Sequence, residues 1–193
     1  MPAERAALGL KLHTGWGALV AVAGAPGNIR ILLRRRLELM PPGEAIPRFV
    51  YHEAADLSAA EASALVERAA GACQAAAHAA LQQVLKELRS LDVGIGGAGI
   101  PTGSTTLPAS LAAILGSHAL IHAAEGILVQ KAVRAACEGL GLKVICTRER
   151  ELWSTLGGGV RKELDGLRKT LGPPWGADQK TAAAAGMVAL GTG

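Results

Sequence analysis

His118, His122 and Glu125 are separated by four and three residues, the spacing that places side chains along one face of an α-helix. Two imidazoles so placed can share a transition metal, and the carboxylate can bind it or orient a ligand. The same trio also suits a packed helix in which the imidazoles hydrogen-bond and Glu125 is solvated or ion-paired. His13 offers a further imidazole to such a site, and a histidine-rich set favours Mn2+ or Zn2+ over a purely oxygen-bound Mg2+. Alone, His13 equally suits a core position, donating to a carbonyl. His52-Glu53 is another candidate for that pocket, whereas His78 reads as helix surface.

A second set suits phosphate. Gly157, Gly158 and Gly159 precede Arg161 and Lys162, combining free backbone amides at a helix start with positive charge. Thr14 and Gly15, beside His13, and the Gly103-Ser104-Thr105-Thr106 loop offer further donors. Arg34-Arg35-Arg36 reads as a solvated edge, because strand alternation sends Arg35 to the opposite face from its neighbours. Gly94 to Gly99 spells G-x-G-x-x-G, but Pro101 follows at once and the next helix starts only near Pro108. A strand-end bend explains it better than a dinucleotide site. Cys73, Cys137 and Cys146 lack the spacing of a disulfide framework or zinc finger, and no serine lies in a G-x-S-x-G elbow.

These residues need elements to hold them. Leu8, Leu10 and Leu12 alternate with Gly9, Lys11 and His13, predicting a strand with Lys11 and His13 on one side. An apolar strand returns from Trp16 to Ala23. A third runs from Ile29 to Leu39, with Ile31, Leu33, Leu37 and Leu39 on one face, completing an antiparallel meander that Pro41, Pro42 and Pro47 end. Ser58 and Glu61 have capping-box spacing, opening a helix to about Leu91. Asp92 to Gly97 predicts a short glycine-rich strand, Ala109 to Gly139 a helix broken near Gly116-Ser117, and Leu142 to Thr147 a fifth strand. Arg148 to Leu171 reads as helix interrupted at Gly157 to Gly159. Gly172-Pro173-Pro174 stops it, and a last, alanine-rich helix begins at Asp178, with Lys180 available to pair with that acid. Functional groups in an open α/β sheet gather at the carboxyl ends of parallel strands. His13 ends the first strand and His118 opens a helix after the fourth, so the two are expected to approach.

Half of the 193 residues are hydrophobic, which excludes general disorder and supplies a core for one domain. Much of that content is alanine and only 3% is aromatic, leaving Trp16, Trp153, Trp175, Tyr51 and Phe49 as the residues able to stack on bases. A net charge of +4 permits a polyanionic partner without demanding one. No apolar run reaches the roughly 18 residues of a membrane span, and scattered cysteines suit a reducing, cytoplasmic setting.

His13-Thr14-Gly15 closes the first strand where the ribonuclease H-like superfold usually carries Asp-x-Gly. The later text, LAAILGSHALIHAAEGILV into LKVICT and then GADQKTAAAAGMVAL, resembles in order and spacing the RuvC-type Holliday-junction resolvases. The resemblance implies an α/β, ribonuclease H-like fold with a five-stranded mixed sheet (βββαβαβα) flanked by helices, a homodimer and a nucleic-acid partner. It also implies clustered carboxylates that hold two divalent cations to activate water. By that correspondence His13 takes the first-strand acid's place, Gly96 falls about where the fourth-strand glutamate belongs, Asp178 matches the first acid of the last helix, and Thr181 replaces the second. One of four carboxylates survives, which disfavours two-metal cleavage.

Two functions are compatible with these residues. One is metal-dependent processing of nucleic acid or a phosphate ligand, with His13, Asp178 and Glu125 catalytic and Arg161 or Lys162 holding phosphate. The other is a non-catalytic binding or assembly module that keeps the fold, its alanine-rich helices supporting a dimer.

Overall fold

Residues 4–40 and 46–192 are described by a computed structural model; Pro41 and Pro42 lie outside them. The predicted meander is present as β1 (Glu4–His13), β2 (Trp16–Ala25) and β3 (Asn28–Glu38). β4 (Val93–Thr102) and β5 (Lys143–Arg148) run parallel to β1, giving a five-stranded mixed sheet in the order β3-β2-β1-β4-β5.

Helices cover both faces. α1 (Val50–Ala54), α2 (Ala59–Ser90), α3 (Leu111–Leu115) and α4 (His118–Gly139) share one core with Leu8, Leu10, Leu12, Leu33 and Leu37. α5 (Glu149–Leu156), α6 (Gly158–Gly166), α7 (Arg168–Leu171) and α8 (Ala177–Gly191) lie on the other side, where Val20, Val22 and Ile29 meet Leu152, Leu164 and the α8 alanines. The Ser58–Glu61 capping box opens α2 as predicted. α1 was not expected from the sequence, because five residues carry too little periodicity to register.

Two strands depart from the predicted pattern. In β3 the register shifts so that Ala21 faces Leu33 while Val22 faces Ile31. Leu32 is the extra residue of a bulge, and Ile31 therefore packs with the α8 core while Leu33 and Leu37 pack with the α2 core. β4 does not stop at Gly97 but continues to Thr102, so its glycines lie inside a strand rather than in a bend.

The reason is contact with α8. A methyl built on Gly9 would lie 1.7 Å from the Ala182 carbonyl oxygen, and one on Gly99 2.0 Å from that of Ala185. Gly186 closes the same interface from the helix side, beneath Val22. Ala182 to Ala185 are 0–1% exposed; these alanines are spent inside the chain and offer no dimer surface.

Gly99→Ala is expected to lose at least about 3 kcal/mol in chemical denaturation, the upper end of overpacking costs. Gly71→Ala, at an open helical position with nothing within 4 Å, is expected instead to gain up to about 1 kcal/mol.

Candidate functional site

Strand alternation puts Lys11 and His13 on the face of β1 that α8 covers. There His13 Nε2 lies 2.9 Å from Asp178 Oδ1, at the start of α8, and Lys11 Nζ lies 2.6 Å from Glu149 Oε2, at the start of α5. The His13 ring stacks on Trp16 with centroids 4.3 Å apart, and the Arg36 guanidinium packs 3.9 Å from the same indole. Gly15, at φ 81°, closes the turn. Its carbonyl accepts from the Leu39 and Met40 amides, while the Thr14 carbonyl accepts from Arg48 Nε. Arg48 in turn sits over Phe49, which is 51% exposed. Two aromatic–guanidinium pairs thus flank the turn.

His118, His122 and Glu125 occupy one stripe of α4, but in the other helical layer. The approach expected of His13 fails for that reason: it ends β1 on the opposite face of the sheet. The imidazole that joins them is His52 of α1. The Nε2 atoms of His118 and His122 are 3.0 Å apart, and the His52 ring lies 4.7 Å from His122 and 5.8 Å from His118. Glu53, its neighbour, is exposed and takes no part.

Glu125 is only 3% exposed, yet fully partnered. It accepts from the backbone amides of Val50, Tyr51 and His52 at 3.1, 2.8 and 3.2 Å, and from His52 Nδ1 at 3.1 Å. A carboxylate on the free amides of a helix's first turn is favourably placed. Burial, with the Glu125 charge beside it, raises the Tyr51 phenol above its ordinary pKa. Both carboxylate oxygens are thereby occupied, so Glu125 orients His52 rather than facing the cluster as a ligand.

The phosphate candidates lie elsewhere. Gly159 and Lys162 border the Pro26–Gly27 turn, and Glu163 caps the Gly27 and Ile29 amides at 2.7 Å. That turn is a strand length, about 30 Å, from His13. Gly158, Gly159, Arg161 and Lys162 therefore cannot hold phosphate for chemistry at His13, and Arg161 packs on Trp153 instead. Lys180 pairs with Asp165 at 2.6 Å rather than with Asp178, since residues two apart on a helix do not face each other. Gly96 lies near Arg5, toward the wrong end of β4; at the His13 end stand Pro101 and Thr102, neither acidic. Thr181 is buried. Of the expected stacking residues, Trp175 and Tyr51 are buried and Trp153 is packed, leaving Trp16 and Phe49. Arg34 is no solvated edge residue: it donates to the Leu171, Gly172 and Pro174 carbonyls, while Arg35 pairs with Glu87. Burial holds the Cys73 and Cys137 thiols up at about 11 and 12, against thiolate chemistry.

A mixed sheet with strand order β3-β2-β1-β4-β5 between these helices is a ribonuclease H-like fold. Among solved structures it is similar to Thermus thermophilus RuvC in complex with a Holliday junction substrate, at 14% identity and a TM-score of 0.55 over 95% of this chain and 90% of that one. A second Thermus thermophilus RuvC structure matches at 14% identity and a TM-score of 0.53, over 94% and 91%. No protein-family model matches, and a search of curated proteins finds no sequence match. The likeness is one of fold. No helix among the described residues is long and apolar enough to cross a membrane.

The paired divalent cations that such a fold implies do not fit the end of β1. Lys11 and His13 occupy the space with nitrogen and engage the carboxylates of Glu149 and Asp178. Hard cations need converging oxygens.

Glu125→Ala is expected to cost about 3 kcal/mol in thermal or urea unfolding, because it strands two buried amides and a half-buried third. Loss of protection at the Val50 to His52 amides in hydrogen exchange would locate the damage.

Proposed function

We propose that this protein binds nucleic acid through the β1–β2 turn and does not cleave it by a two-metal mechanism there. One observation carries the proposal: where the fold needs acids, this chain presents Lys11 bonded to Glu149 and His13 bonded to Asp178, with the Trp16–Arg36 pair against His13 and the Phe49–Arg48 pair at the turn. Half-buried Trp16 and exposed Phe49, each beside an arginine, suit stacking on unpaired bases, and the guanidinium groups suit the phosphate backbone. The RuvC relative bound to a Holliday junction supports a branched or partly single-stranded ligand. The net charge of +4 is in keeping with a polyanion.

The expected outcome in fluorescence anisotropy is binding of four-way and single-stranded DNA that weakens steeply with salt. Trp16→Ala is expected to weaken it about tenfold, within the ~1–3 kcal/mol that a stacked base contributes, and Mg2+ should produce no strand cleavage. Absence of binding at low salt, or Mg2+-dependent cleavage that Asp178→Asn abolishes, would reject the proposal.

A further inference from the structure

We infer that His52, His118 and His122 form a binding site for a divalent transition metal of the Zn2+ type, with a fourth coordination position left for water or an anion. One ligand atom from each of the three residues lies within 4.8 Å of the other two. The Nε2 atoms of His118 and His122 are 3.0 Å apart; two nitrogens on one tetrahedral Zn2+, each at 2.0–2.1 Å, stand about 3.3 Å apart. Those two ligands are therefore spaced for a shared ion already, and His52 brings a third ligand atom within 4.8 Å of both.

His52 is prepared for that role. Its Nδ1 faces the acceptor oxygen of Glu125 and must carry the proton, which leaves Nε2 as the lone pair. A carboxylate that orients a ligand histidine is the usual outer partner of a metal-bound imidazole. Glu125 also grips the three amides that open α1, so ring and backbone are positioned by one buried anion.

Core packing does not account for the cluster, because His118 and His122 are exposed. Three imidazoles select Zn2+, Ni2+ or Cu2+ over Mg2+ or Ca2+. Three protein ligands with one position open is the arrangement of catalytic rather than structural zinc. A cleft of about 230 Å³ bordered by His122, Gly103, Thr105, Gly126 and Gln130 adjoins the site and has room for a small anion. The site lies on the opposite face of the sheet from His13, and metal titration without nucleic acid tests it separately from the nucleic-acid reading.

The test is calorimetric titration of the tag-free full chain with Zn2+, together with the visible spectrum of the Co2+ form. One ion per chain and a four-coordinate Co2+ spectrum are expected. His118→Ala and His122→Ala, both at exposed positions, should each weaken binding more than about 100-fold, beyond what loss of an outer partner costs. His78→Ala should leave it unchanged, and Zn2+ should raise Tm for wild type but not for the double variant. Failure of wild type to bind Zn2+, or equal binding by a folded His118→Ala/His122→Ala protein, would overturn the inference.

Discussion

The backbone of α8 lies directly on β1 and β4, and most of this architecture depends on that approach. It is possible only because Gly9 and Gly99 present no side chain where the Ala182 and Ala185 carbonyls pass. Interiors pack at crystal-like density, so a single methyl at such a point displaces a helix rather than a neighbouring side chain. The same seating carries Asp178 to His13 and buries Thr181. Alanine is thus the functional composition of α8: a larger residue would lift the helix and its first-turn acid off the sheet.

Charge is arranged differently on the two faces. On the α8 side, nitrogen-bearing side chains from β1 are matched by carboxylates at the starts of α5 and α8, and the carboxylates are thereby withdrawn from any cation. On the α4 side buried Glu125 is used entirely on backbone amides and one imidazole. Three rings are left with nitrogen lone pairs and no acid among them. Oxygen-rich and nitrogen-rich chemistry have in effect exchanged prominence relative to what the fold suggests.

Element order was legible because long-range periodicity and glycine–proline punctuation are strong in this chain: the meander, α2 with its capping box, and the break at Gly116-Ser117 all follow it. Face assignments failed where a single residue changes the phase. Leu32 is invisible as a bulge until its partners are known, and Ile31 consequently changes layer. β4 reads as short because its glycines suggest a bend, whereas Gly97 answers to the neighbouring β5 backbone and Gly99 to Ala185 of α8, 86 residues later in the chain. The stripe of His118, His122 and Glu125 was readable from spacing. Its completion by His52 was not, since that contact depends on the short α1 and on the buried anion that orders it. Strand order places His13 at the end of β1, but the expected approach to His118 fails because position along a strand does not say which helical layer its side chain meets.

The grip of Glu125 on the first amides of α1 reaches beyond the histidines. Phe49 immediately precedes α1 and meets His52 edge-on at 5.7 Å, while Arg48 bonds the β1–β2 turn. One short segment, residues 48–52, therefore reaches the β1–β2 turn through Arg48 and holds an imidazole through His52. Whatever fixes the pose of α1 is thermodynamically linked to both, and linkage of this kind is reciprocal.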